Sequence, residues 1–177
     1  PDGEDPVWNP VPVDQFVDEG EFFNYNVTAT DNLAIENYSI NDTENFWINS
    51  NTGEIINITV LDIGEYSLQL RVNDTRGNHV TAVILITVND ITKPLWNPVP
   101  VDQLIDEGGS FSYSISATDN VAIDAYWIND TVHFSIDSDS GILTNTTVLS
   151  PGSYSLGIWV NDTCGNENYA IIFITVV

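Results

Sequence analysis

Residues 65–88 read EYSLQLRVNDTRGNHVTAVILITV. In the first part Tyr66, Leu68, Leu70 and Val72 alternate with Ser67, Gln69 and Arg71. In the last part Val80, Ala82, Ile84, Ile86 and Val88 fall on one side of a long β-branched run. A period of two is what a strand with one buried face requires, because successive side chains point to opposite sides of the pleat. Between the two runs stands NDTRGN, a cluster of turn residues. FFNYNVTA (22–29) follows the same rule, with Phe23, Tyr25, Val27 and Ala29 on one face and Asn24, Asn26 and Thr28 on the other. DEG, ATDN, NSNTG and LDIG punctuate the rest, and no segment has a helical period.

The pattern then repeats. Shifting the sequence by 88 residues aligns 6–88 with 94–176 without a gap, and 48 of those 83 pairs are identical. WNPVPVDQ (8–15) returns at 96–103, ATDNLAIENYSIND (29–42) as ATDNVAIDAYWIND (117–130), and VNDT (72–75) at 160–163. Each copy is far longer than a solenoid repeat that cannot stand alone. With about seven strands per copy, the expected fold is all-β: two tandem seven-stranded antiparallel β-sandwiches joined end to end. The expected domains are 1–89 and 90–177, meeting in VNDITKPLW (88–96). A linker this short, holding Pro94, predicts a semi-rigid pair.

Composition narrows the function. Twenty-six Asp and Glu oppose three basic residues, Arg71, Arg76 and Lys93, for a net charge of −23. Such a surface repels nucleic acid and anionic membranes. A hydrophobic fraction of 42% distinguishes the chain from a disordered acidic tail. Cys164 is the single cysteine, so no intramolecular disulfide forms. No apolar run approaches the ~20 residues of a membrane-spanning helix, so no membrane insertion is expected. PDGEDP at the start has neither the basic nor the apolar region of a signal peptide, and the chain reads as a segment of a longer protein.

Several short phrases, in order, resemble the cadherin-like and HYR (immunoglobulin-like) sandwiches strung together in surface proteins. They are DEG (18–20, 106–108), ATDN followed by Ala-Ile and Tyr (29–38, 117–126), FWINSNTGEI (46–55) with FSIDSDSGIL (134–143), and LDIGEYSLQLRVNDTRG (61–77). Two departures stand out. The linker retains Asp90 but not the other acids of a cadherin linker, which is nearer the HYR pattern, and the second acid of the ATDN phrase is Asn32 or Asn120. The resemblance implies Ca²⁺ between domains, held by Glu19, Asp62 and Glu65 of the first copy, Asp90 of the linker, and Asp119, Asn120 and Asp162 of the second. Clustering these carboxylates without a cation costs repulsion, and Ca²⁺ wants six to eight oxygen ligands. The same residues also read as ordinary Asx turns. One asymmetry favours the cation: LDIGEY (61–66) becomes LSPGSY (149–154), losing both acids.

Eight Asn-x-Ser/Thr sequons, at Asn26, Asn37, Asn41, Asn57, Asn73, Asn129, Asn145 and Asn161, fit an exported glycoprotein, although turn chemistry accounts for Asn as well. Catalysis is not expected. His79 and His133 are isolated, and no nucleophile elbow, phosphate loop or zinc spacing occurs. Trp8 and Trp96 are repeat-equivalent and placed to pack at domain entrances. Trp47, Trp127 and Trp159 have no aromatic counterpart, and alternation points Trp159 outward, as it does Arg71.

The expected role is a modular extracellular spacer, structural or adhesive, stiffened by Ca²⁺ at the junction. Its expected partners are neighbouring repeats of the same chain, another surface protein or copies of itself, and a glycan. Few lysines and many Asn, Thr and Ile fit an archaeal or bacterial source. Two alternatives stand beside this reading: a carbohydrate-binding module of a secreted protein, and a calcium-independent acidic repeat of a surface layer or filament.

Overall fold

The computed structural model describes residues 3–177 and divides into two compact units, Pro1–Asp90 and Ile91–Val177. Among the described residues there is no helix. Unit 1 contains β1 (Val7–Trp8), β2 (Gln15–Asp18), β3 (Asn24–Asn26), β4 (Ala29–Thr30), β5 (Ile35–Ile40), β6 (Phe46–Ile48), β7 (Glu54–Asn57), β8 (Gly64–Asp74) and β9 (His79–Asn89). Four of these form one sheet in the order β2-β9-β8-β5, three form a second in the order β3-β7-β6, and β1 pairs with β4.

Nine segments thus make a seven-strand sandwich whose first two strands are each interrupted. Proline is the cause in the first. Between β1 and β2 lies NPVPVD, where Pro10 and Pro12 have no N–H to give a ladder. The Asp14 carboxylate takes over, accepting the Leu85 N–H at 2.8 Å, and β2 then runs parallel to β9, with Val17 beside Val88. The sandwich is therefore mixed rather than wholly antiparallel: the first strand, once past the prolines, reaches the last strand in the same direction.

Unit 2 repeats the plan with β10 (Leu95–Trp96), β11 (Gln103–Ile105), β12 (Ser112–Ser114), β13 (Ala117–Thr118), β14 (Ile123–Ile128), β15 (Phe134–Ile136), β16 (Ile142–Asn145), β17 (Gly152–Asp162) and β18 (Glu167–Val176). Its sheets are β11-β18-β17-β14, again with a parallel first pair, and β12-β16-β15. Asp102 repeats the role of Asp14, accepting the Phe173 N–H at 2.8 Å.

Each unit has its own core. In unit 1 Phe23, Val27, Phe46, Ile55, Leu68, Leu70, Val72, Ile84, Ile86 and Val88 are buried between the sheets, as alternation requires. In unit 2 Phe111, Phe134, Leu156, Ile158, Val160, Ile172 and Ile174 do the same. Tyrosines close the corners with an apolar body inside and a hydroxyl on the backbone. Tyr38 Oη accepts the Ala29 N–H at 3.0 Å, and Tyr126 Oη accepts that of Ala117 at 2.9 Å.

Candidate cation-binding loops

At the end of unit 1 where the chain leaves, Asp18 lies beside Asn89, the Glu19 N–H donates to Asn89 O at 2.9 Å, and Gly64 pairs with Val88. That register gathers Glu19, Asp62, Glu65 and Asp90 at one end of the unit. The loop carrying Asp62 and Glu65 is built by other residues. Leu61 is buried beneath it, and Tyr66 Oη accepts the Asp62 N–H at 2.9 Å and donates to Asp62 O at 3.3 Å. The Tyr66 ring packs edge-on against Phe46. The two carboxylates are exposed and accept no hydrogen bond among the described residues. Unit 2 makes the same loop without them. Leu149 is buried, Tyr154 Oη donates to Ser150 O at 3.2 Å, and its ring meets Phe134 edge-on. The acids are dispensable to the turn.

At the end of unit 2 where the chain enters, Leu95 pairs with Thr118 and Ile123 with Asp162, so Asp119, Asn120 and Asp162 share that end. Asn120 is exposed. Asp119 makes an Asx turn, its Oδ1 accepting the Val121 N–H at 3.0 Å, while its buried Oδ2 accepts nothing. Asp31 makes the same turn in unit 1, to the Leu33 N–H at 2.8 Å.

Asp162 is different. It is 1% exposed. Its Oδ1 accepts the N–H groups of Cys164 (2.8 Å) and Asn166 (2.9 Å), and its Oδ2 accepts the Asn166 side-chain amide at 2.8 Å. Burial pushes its pKa up, but these hydrogen bonds, the Asn166 amide foremost, outweigh it and hold the carboxyl below the usual range. Asp74 does the same in unit 1 with Arg76 and Asn78. Both copies thus use this Asp to tie the β8–β9 and β17–β18 turns, and in unit 1 it lies at the end away from the exit.

His133, isolated in sequence, also has a turn role. Its Nδ1 lies 2.7 Å from Asp130 Oδ2, where unit 1 has the Asn45 amide 2.9 Å from Asp42 Oδ2.

The sequon asparagines fall into distinct classes. Asn57 and Asn145 are structural ties. Each Oδ1 accepts a backbone N–H, from Phe23 or Phe111, and each Nδ2 donates to the carbonyl two residues on. The Asn73 amide donates to Asn37 Oδ1, and the Asn161 amide to Asp124. Asn41 and Asn129 are exposed, each accepting one backbone N–H on Oδ1. Asn26 faces solvent on β3.

Alternation does not show how the unmatched aromatics meet across strands. Trp127 and Trp159 pair on β14 and β17, parallel to within 6° at 6.2 Å, and Tyr169 on β18 lies 4.6 Å from Trp159. Trp8 is buried at 7% exposure, Trp96 is half-buried, and Trp47 is exposed.

No family model matches the chain, and no curated protein does. Solved structures do. The structure is similar to the immunoglobulin domains 1–4 of Sidekick-1 (TM-score 0.66, 14% identity, 97% of this chain and 48% of that one). It is also similar to the EC1–4 region of Drosophila N-cadherin (TM-score 0.52, 17% identity, 98% and 50%). The extracellular cadherin domains 1–5 of protocadherin gamma B2 match with a TM-score of 0.50 and 21% identity, over 99% and 40%. This is a tandem sandwich fold of the cadherin and immunoglobulin type. The chain spans half or less of the length of these structures.

Proposed function

We propose that the chain is a two-module stretch of an extracellular structural or adhesive protein, with Ca²⁺ stiffening the junction of its modules. The carrying observation is that Asp62 and Glu65 are exposed carboxylates with no part in the turn that bears them, since unit 2 builds that turn with Ser150 and Ser153 in their places. A second support is the buried, unpartnered Oδ2 of Asp119, an acceptor of the kind a hard cation satisfies. Both features stand at the ends through which the chain passes from one unit to the other. The fold, shared with protocadherin domains described as extracellular, fits a surface location.

In this role Glu19, Asp62, Glu65, Asp90, Asp119 and Asn120 would supply oxygen ligands, while Asp162 chiefly ties its turn. Ca²⁺ there supplies charge neutralisation and a fixed angle, not chemistry. Among the sequons, exposed Asn26, Asn41 and Asn129 are better placed for a glycan than Asn57 and Asn145, whose amides already hold the backbone. The test is calorimetry and small-angle scattering on the whole chain, in Ca²⁺ and in chelator. A ligand that binds only the folded form raises the melting temperature with its concentration. Ca²⁺ should therefore raise it and narrow the distribution of end-to-end distances, and Asp62→Asn with Glu65→Gln should abolish both effects. Identical melting and scattering in Ca²⁺ and chelator defeat the proposal.

A further inference from the structure

The outer face of the four-stranded sheet has diverged between the two copies at four neighbouring positions on three strands. In unit 1 it carries Ser39, Gln69, Arg71 and Thr81, which with Ile40 and Asn41 line a shallow polar depression. In unit 2 the corresponding residues are Trp127, Gly157, Trp159 and Tyr169. The strand register is the same in both: Ser39 pairs with Arg71 and Arg71 with Thr81, as Trp127 pairs with Trp159 and Trp159 with Tyr169. The sheet does not need these rings in order to form, because unit 1 forms it without them.

The rings form one row across the sheet, Trp127 stacked parallel to Trp159 and Tyr169 tilted against it. A Cβ placed on Gly157 would be 2.9 Å from Trp159 Cη2 and 3.0 Å from both Cε2 and Oη of Tyr169. The tip of Trp159 therefore reaches back over a residue two positions earlier on its own strand, and Gly157 leaves the space for it. The row leaves area to solvent: Tyr169 is 46% exposed, and Trp127 and Trp159 are half-buried. At one margin the Asn161 amide donates to Asp124 Oδ2 at 3.0 Å, and Asn161 Oδ1 is buried. Glu167 pairs with Asn161 on the neighbouring strand.

We propose that this face of unit 2 binds an uncharged glycan, with sugar rings stacked on Trp127, Trp159 and Tyr169 and hydroxyls donating to the exposed carboxylates of Asp124 and Glu167. An aromatic face is electron-rich and attracts the polarised C–H groups of a pyranose ring. The three rings span three adjacent strands, about 10 Å, long enough for a disaccharide. The exposed groups of that margin, Asp124 and Glu167, are carboxylate acceptors, matched to hydroxyl donors. Residues 91–177 hold ten Asp and Glu against Lys93 alone, which disfavours anionic sugars and, by like-charge repulsion, a second copy of the chain. This inference is independent of the calcium reading, and its test is run in chelator.

The test is native affinity electrophoresis of the whole chain through gels containing mixed-linkage β-glucan, galactomannan or glycol chitin. At least one polymer should retard the protein. Trp127→Ser with Trp159→Arg installs the residues that unit 1 carries at those two register positions, and should weaken retardation at least about tenfold, as losing two stacking contacts requires. Gly157→Gln, matching Gln69, displaces the rings without removing them and should act in the same direction. Melting curves check that both variants fold. Absence of retardation by all three polymers, or retardation unchanged in both variants, overturns the proposal. So does a self-associating wild-type chain whose dimers the double variant dissolves without any glycan effect.

Discussion

Replacing Asp162 separates its role in the turn from any role with a cation. Asp162→Ala removes the acceptor of three hydrogen bonds, leaving the N–H groups of Cys164 and Asn166 and the Asn166 amide unpaired. Each stranded donor costs about 1–3 kcal/mol. Cys164 is exposed, so water reaches part of the turn and the lower end of that range applies, about 3–5 kcal/mol in all. Asp162→Asn retains Oδ1 for the two backbone donors but sets an amide N–H against that of Asn166. It should cost about 1–3 kcal/mol. For a unit of this size each kcal/mol moves the melting temperature by about 4–8 °C. The transition of unit 2 should therefore fall by at least about 12 °C for Ala and clearly less for Asn. Circular dichroism melts in chelator measure this, and the same melts with Ca²⁺ ask whether Asp162→Asn retains the calcium response. A fall under about 3 °C for Ala, or equal falls for Ala and Asn, would refute the reasoning.

Two further outcomes are expected. Gly53 and Gly141 have φ of +74° and +67°, and a Cβ there would stand 2.1 Å from Val27 O and 2.2 Å from Ile115 O. Gly53→Ala or Gly141→Ala should thus cost at least about 3 kcal/mol. Gly165→Ala, at φ +92° but facing open space, should cost about 1 kcal/mol, and equal losses in urea titrations would contradict the packing argument. The pH profile should fall on the acid side. Asp42 is held low first by the Asn45 amide and Asp137 by the Ser140 N–H, while in Asp74, Asp130 and Asp162 hydrogen bonds outweigh burial. A depressed folded pKa contributes stability above the unfolded value, about 4, that disappears as the pH drops through the folded one. Relief of repulsion from the −23 charge acts oppositely between neutrality and that point. Melting temperature should hold or rise toward about pH 4 and then drop, and a continued rise to about pH 2 would show the native hydrogen bonds to be inconsequential.

Strand faces were legible because burial alternates wherever one side of a sheet meets a core. Phe23 and Leu68 are buried where their neighbours in sequence are exposed. The break in the first strand was visible as Pro10 and Pro12, but its consequence was not. Sequence does not show that Asp14, 71 residues from Leu85, supplies the acceptor at the crossing. The role of Asp162 was hidden for the opposite reason. Its three donors come from the fold of the turn itself, which the neighbouring residues in sequence do not show. The aromatic row needed strand register, since Trp127, Trp159 and Tyr169 are up to 42 positions apart.

The two copies in one chain act as an internal control. Where they agree, the shared residue serves the sandwich: Asp74 and Asp162 tie a turn, Asn57 and Asn145 hold a loop, and Tyr38 and Tyr126 close a corner. Where they differ at an exposed position, the fold has already been built both ways and cannot demand either residue. Asp62 against Ser150 and Arg71 against Trp159 are such positions. The first difference lies at the end where unit 1 hands the chain on, and the second on a sheet face open to solvent. Under the two proposals, one module is fitted to its successor and the other to a ligand, and the two are not interchangeable. Exchanging the outer-face residues between units should accordingly move glycan retention from unit 2 to unit 1 and leave the Ca²⁺ response where it was. A calcium response that followed the rings would show that the two differences serve one site.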